Sequence, residues 1–162
     1  MIEGLPKNYL PNLSDPRNIK ITNVVMSLPT LSEKLRLNEI NVHPNNFVDY
    51  YWGTEKMSRL IEAILLRIPL PVFYFDVSNP YKWIAIDGLQ RLSTIKTFME
   101  NGFLLQNMEV LTYLNGLSYL NLDNSYKRIL YDTQIITYQV EAQTPPELRE
   151  VIFKKIRDIN AN

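Results

Sequence analysis

The sequence predicts an α+β domain in which one layer of mixed strands is packed by helices. Three observations carry this. Residues 54–68, TEKMSRLIEAILLRI, place Met57, Leu60, Ile61, Ile64, Leu65 and Ile68 three and four apart, which makes one apolar stripe along a helix. The runs VFYFDV (72–77), WIAI (83–86) and QIITYQV (134–140) have the length and residue types of strands. Helical and strand patterns alternate irregularly along 162 residues, without an internal repeat, a low-complexity tract or a second domain.

The elements follow in order. Residues 1–18 carry Pro6, Pro11 and Pro16 among Asn, Asp and Ser and are expected to form an irregular arm. IKITNVV (19–25) alternates as a strand, and Thr30 or Ser32 is placed to cap a short helix through Leu35. NVHPNNFVDYYWG (41–53) is expected to be a loop with a short extended piece. In the helix at 54–68 Thr54 is the candidate N-cap, with Glu55 near the positive end, and Pro69 and Pro71 end it. The strands at 72–77 and 83–86 should pair as a hairpin through SNPYK (78–82). A helix follows over 88–100, with Leu92, Ile95, Phe98 and Met99 inward and Asn101-Gly102 as a left-handed stop. Residues 103–122 are mixed, with a turn at Asn115-Gly116. DNSYKRILYD (123–132) is a short helix, and QIITYQV a strand. TPPELREVIFKKIRDI (144–159) opens with Thr144, proline next and Glu147 three residues on, the pattern of a capping box. Its apolar face is Leu148, Val151, Ile152, Ile156 and Ile159.

Composition narrows the function. Seventeen basic and seventeen acidic side chains cancel, which argues against a strongly basic nucleic-acid binder. Cysteine is absent and His43 is the one histidine, so thiolate metal sites, disulfides and a histidine cluster are excluded, and neither a zinc site nor a Ser/His triad is expected. A magnesium ion held by carboxylate remains open. No run of eighteen apolar residues or secretory leader is visible, so a cytoplasmic protein without membrane contact is expected.

Chemistry concentrates in AIDGLQRLSTIKTF (85–98), where an apolar run ends in Asp87, glycine follows and arginine stands four residues after the acid. Two readings compete. In the first, Asp87 caps the helix and Gln90 completes a relative of the capping box. In the second, the helix start exposes unpaired N–H groups to a phosphate, Gly88 removes the side chain that would block its approach, Arg91 clasps it and Asp87 orients water or holds Mg2+. A cap can also be part of a site.

The surroundings of this motif are informative. Trp52, the helix with Leu60, Ile61 and Ile64, Ile68-Pro69-Leu70-Pro71, the strand pair and Asp87-Gly88-Leu89-Gln90-Arg91-Leu92-Ser93-Thr94 occur in one order and spacing. Together they resemble the N-terminal domain of GmrSD-type modification-dependent restriction systems, a prokaryotic family related to the ParB and sulfiredoxin folds. PELREVIFKKI looks like that family's closing helix, and the likeness spans roughly residues 19–159. It implies a ParB/sulfiredoxin-like small mixed sheet packed by helices, one domain over 19–162 without the nuclease half. It also implies nucleotide binding and hydrolysis, coupled to recognition or cutting of modified foreign DNA. By this resemblance Asp87 and Arg91 are catalytic. Gly88, Gln90, Arg91, Ser93 and Thr94 bind the phosphates of a nucleoside triphosphate, and Asp87 is the candidate Mg2+ ligand.

Three departures stand out. Leu89 replaces the family's first glutamine. Phe47-Val48-Asp49 stands where Phe-Gln-Arg is usual, which puts an acid where an arginine could meet phosphate. Asn160 is the candidate for an asparagine after the closing helix, but with one histidine no HNH nuclease site can be assembled from this chain. Trp52 and Tyr51, in a loop, are candidates for stacking on a base or contacting DNA, whereas Trp83 is expected in the core. Lys154, Lys155 and Arg157 are expected to be a solvated helix end, with phosphate contact as the lesser reading. Three functions therefore stand: an NTPase, a nucleotide- or DNA-binding module that works with a separate nuclease subunit or domain, and an interaction domain in which the motif is a cap.

Overall fold

The computed structural model describes residues 15–42 and 52–160. Five strands and five helices alternate: β1 (Ile21–Ser27), α1 (Leu28–Arg36), β2 (Ile40–Asn41), α2 (Thr54–Leu65), β3 (Phe73–Asp76), β4 (Trp83–Asp87), α3 (Leu89–Met99), α4 (Asn124–Asp132), β5 (Gln134–Val140) and α5 (Pro146–Asn160). The strands form one mixed sheet in the order β1-β5-β3-β4-β2. β1 runs antiparallel to β5, from Ile21 opposite Val140 to Ser27 opposite Gln134. β3 lies parallel to β5 and antiparallel to β4, as the hairpin expectation requires. β2 adds a short parallel edge to β4.

The pleat sends alternate residues to opposite faces. One face carries Met26, Phe73, Phe75, Ala85 and Ile135 into the main core, where Leu28, Leu31 and Leu35 of α1, Ile61 and Ile64 of α2 and Leu92, Ile95 and Phe98 of α3 meet them. The other face carries Ile86 and Val140, covered by Phe153 of α5 with Tyr74, Ile152 and Ile156 around them. The β3–β4 register slips between Tyr74 and Phe75: Tyr74 faces Asp87 and Phe75 faces Ala85, so Ile86 is the extra residue of a bulge. A bulge re-aims the strand beyond it, and here that strand ends at Asp87.

Several local expectations are corrected. α1 is capped by Ser27, whose Oγ accepts the Thr30 N–H at 3.2 Å, rather than by Thr30 or Ser32. Gly53 occupies the N-cap of α2 and Thr54 is its first residue, because the Gly53 carbonyl already accepts the Met57 N–H at 3.0 Å. Ile68 is 53 % exposed and lies beyond the helix end. α1, α2 and α3 all stop with the residue after the cap at positive φ, at Asn38 (57°), Arg67 (62°) and Asn101 (60°). In each the next N–H reaches back to a carbonyl five residues earlier: Glu39 to Lys34, Ile68 to Ala63 and Gly102 to Thr97. Thr144 does not cap α5. It is fully buried, and its hydroxyl accepts the Lys20 N–H at 2.9 Å, tying the end of β5 to the start of β1. The buried face of α5 is shifted in part: Ile152 and Ile156 pack on the sheet as expected, Phe153 joins them inside, and Val151 and Ile159 are exposed.

Of the arm, residues 15–18 form a 3-10 turn at Pro16–Asn18 capped by Asp15. The rest of it, and His43 to Tyr51 of the expected loop, lie outside the described residues. No helix among the described residues is long and apolar enough to cross a membrane.

A polar pair inside the α2 stripe escaped the periodicity argument. Ser58 and Glu62, one turn apart, are both buried. Ser58 Oγ accepts the Gln106 N–H at 3.0 Å. The Glu62 carboxylate accepts three backbone N–H groups, from Glu109 at 3.0 Å, Val110 at 2.7 Å and Leu111 at 2.8 Å. Burial raises its pKa, but those three donors outweigh burial and the net direction is down. One helix face thus fixes the segment after α3, which forms little regular structure of its own.

Candidate functional site

The site grows from the turn between β4 and α3. Gly88 has φ 94° and ψ 15°, left-handed backbone that L side chains avoid, and it is the residue from which α3 starts. A Cβ at this position would lie 2.6 Å from Phe73 Cδ1 and 3.0 Å from Arg91 Nη2. Glycine is therefore required twice, by the backbone angle and by the packing of Phe73 and Arg91 against it.

No side chain caps α3. This corrects the capping-box reading. The Asp87 carboxylate faces Arg91 at 3.5 Å, and Gln90 Oε1 accepts the backbone N–H of Trp52 at 3.1 Å. The first helical N–H groups are left without a side-chain acceptor, as a helix start that receives an anion would be.

Arg91 has a different setting from the one its spacing suggests. Its guanidinium lies over the Phe73 ring, 4.0 Å from the centroid. Nη1 donates to the Pro71 carbonyl and Nη2 to the Val72 carbonyl, the latter at 3.2 Å. Its side chain is only 12 % exposed. Burial pushes its pKa below the usual arginine range, and Asp87 opposes that shift. Arg91 thus bolts α3 to the proline segment ahead of β3.

Around this corner lies a cleft of about 660 Å³. Asp87, Gly88, Leu89, Gln90 and Arg91 form one wall, Pro71 and Val72 the floor beside it, and Trp52 one rim. The end of α5 completes the lining, with Arg157, Ile159 and Asn160. The structure brings Asp87, Gly88, Gln90, Arg91 and Trp52 together as expected. It does not bring Ser93 and Thr94 there. Thr94 is buried and donates its hydroxyl to the Gln90 carbonyl at 2.8 Å. Ser93 opens to a neighbouring cavity with Lys96 and Thr97. Tyr51 lies outside the described residues. Trp83 packs on the core side, with Phe75 at 5.6 Å and Lys34 Nζ 4.6 Å above its ring.

Residues 157–160 are the part of the site that sequence reasoning did not place: phosphate contact by Arg157 is only the lesser reading there, and nothing sets Ile159 or Asn160 beside the motif. Lys154 and Lys155 are exposed and outside the cleft, so the basic run divides into two solvated lysines and one cleft-lining arginine. The usable signal was Phe153: one turn before Arg157, its burial sets which side of α5 meets the sheet.

Among the described residues Asp87 is the sole carboxylate on the cleft wall, and no three His, Asp or Glu side chains converge as metal ligands. These residues suit an Mg2+ ion that arrives on phosphate oxygens and keeps its waters, with Asp87 as one ligand. They do not suit an all-protein cage.

No curated protein and no solved structure matches the chain. The family model described as GmrSD restriction endonuclease, N-terminal domain, matches residues 35–161, from the end of α1 through α5 and the whole cleft. The chain belongs to the family of GmrSD restriction endonuclease N-terminal domains and, with it, to restriction and defence.

Proposed function

We propose that this domain binds a nucleotide, whose phosphates sit at the start of α3 in the cleft. The observation that carries the reading is the uncapped helix start at Gly88, open to a cleft of about 660 Å³. Backbone N–H groups and the positive end of the helix dipole favour an anion there. Trp52, whose ring has Lys56 Nζ 4.5 Å over it, lines the cleft and is the aromatic side chain there that a base could meet. Asp87 is positioned to meet a phosphate-borne Mg2+, whose part would be to neutralise phosphate charge. Within a restriction system, the bound state would be passed to a nuclease domain or subunit acting on DNA.

Binding without turnover is favoured over hydrolysis by one feature. The two groups that hydrolysis would recruit, Asp87 and Arg91, face each other at 3.5 Å, and both Arg91 Nη groups donate to backbone carbonyls. Turnover would require Asp87 or Arg91 to exchange these partners for a water or the γ-phosphate, whereas binding requires no such exchange.

Calorimetric titration with ATP, GTP and CTP plus Mg2+, with phosphate release followed on the same samples, tests both statements. Saturable binding is expected, without stoichiometric release of phosphate over the titration. Absence of binding to all three nucleotides would overturn the reading. Multiple turnovers would make the domain an NTPase.

A further inference from the structure

Among the described residues the cleft wall carries three charged side chains, Asp87, Arg91 and Arg157. Asp87 and Arg91 face each other, and the Arg91 donors are committed to Pro71 and Val72. Their charges largely cancel at the wall. Arg157 is exposed, and among the described residues it has no ion pair or hydrogen bond. Among the described lining residues the uncompensated positive charge is therefore that of Arg157, together with the helix start.

Its placement follows from packing. Phe153 is buried against Ile86 and Val140, and Ile156 joins that cluster. Arg157 is four residues after Phe153 and so lies one turn further along the same side of α5. Ile86 immediately precedes Asp87 in β4. The contact that seats α5 on the sheet is thus next in sequence to the corner, and it sets Arg157 on the same cleft as the uncapped N–H groups of α3.

We propose that Arg157 is the side chain that grips the nucleotide's phosphates, while Arg91, the arginine of the motif, holds the corner in shape. This rests on the reading that the cleft takes a nucleotide. A planar fork free of internal partners can turn its paired donors to two phosphate oxygens, whereas Arg91 gives one N–H of each Nη to a carbonyl and faces Asp87 besides, which leaves it fewer donors and holds its orientation.

The test is calorimetry on the wild-type chain, Arg157→Gln and Lys154→Gln, each titrated with ATP, GTP and CTP plus Mg2+ and with inorganic tripolyphosphate. Lys154→Gln removes a neighbouring charge outside the cleft. Arg157→Gln is expected to weaken nucleotide binding by about tenfold to a hundredfold, the range for a lost charged hydrogen bond, with an unchanged thermal midpoint because the side chain is exposed. Lys154→Gln should stay within about twofold, as a distant screened charge does. Wild-type binding that persists equally in Arg157→Gln overturns this assignment and leaves the nucleotide reading standing. Tripolyphosphate bound by wild type and lost in Arg157→Gln, without binding of any nucleotide, keeps Arg157 as the anion contact and removes the nucleotide. Binding of neither overturns both.

Discussion

Replacing Glu62 by alanine removes one carboxylate and strands three backbone donors. Glu62 is 4 % exposed, and its carboxylate accepts from Glu109, Val110 and Leu111 at 2.7 to 3.0 Å. A hydrogen bond to a charged group is worth about 1.5–3 kcal/mol, and a buried donor left unpaired costs about 1–3 kcal/mol. Glu109 and Val110 are exposed, so their N–H groups can turn to water, whereas Leu111 is half-buried. Counting one stranded donor in full and the other two in part gives a loss of about 3–5 kcal/mol. For a domain of this size that is a fall in Tm of about 6–20 °C. Urea unfolding would show a lower midpoint at unchanged slope, and amide exchange in Glu62→Gln would rise first at residues 109–111. The pH dependence has a definite sign. The folded carboxylate has a lowered pKa, so its contribution is fully present above the ordinary glutamate value of 4.5 and is lost as pH falls through the folded value. The stability gap between wild type and Glu62→Gln should therefore be constant near neutrality and shrink as pH falls below 4.5. A loss under about 1 kcal/mol for Glu62→Ala would refute the reasoning, since not even one stranded donor would then be felt.

Gly88→Ala should destabilise the fold by about 2–4 kcal/mol, combining left-handed strain with a Cβ forced against Phe73 and Arg91, read as a drop in urea midpoint. Asp87→Asn should change stability by less than about 1 kcal/mol, because a partly exposed pair at 3.5 Å contributes little. Thr144→Val should cost about 1–2 kcal/mol by stranding the Lys20 N–H, and serine at that position should recover most of it in thermal melts. Arg67→Gly should raise stability by up to about 1 kcal/mol, because the stop of α2 holds an arginine at positive φ where glycine is unstrained.

The long periodic segments were legible in the sequence. The stripe through Ile61 and Ile64 and the strand pair at 73–87 needed only spacing and residue type, since both bury one face in a single core. Helix ends were less legible because capping depends on what else competes for the side chain. Thr144 has the spacing of a cap, but a backbone N–H of β1, over a hundred residues away in sequence, takes its hydroxyl. Asp87 and Gln90 fail as caps for the same kind of reason, with Arg91 and the Trp52 backbone as the competitors. The face of α5 was misjudged in part because its stripe is weak: Phe153 wins by volume over the more regularly spaced Val151 and Ile159. The α5 side of the cleft followed from that error, since no local pattern tells residue 157 that it will share a cleft with residue 88.

The two arginines give loss-of-function experiments unequal meaning. Arg91→Ala would remove the bonds to Pro71 and Val72, the stack on Phe73 and the partner of Asp87 together. The β4–α3 turn would loosen, and the helix start would lose its fixed position whatever it binds. A loss of binding in that variant is thus expected even if Arg91 never touches the ligand. Arg157 carries none of these ties, so its removal changes charge in the cleft and leaves the corner intact. Stability separates the cases. Arg91→Ala should lower the urea midpoint by an amount comparable to Gly88→Ala, because both undo one interlocked contact. Arg157→Gln should not move it. If Arg91→Ala kept full stability while losing nucleotide, the motif arginine would be the phosphate clamp after all, and the division of labour between the two would be reversed.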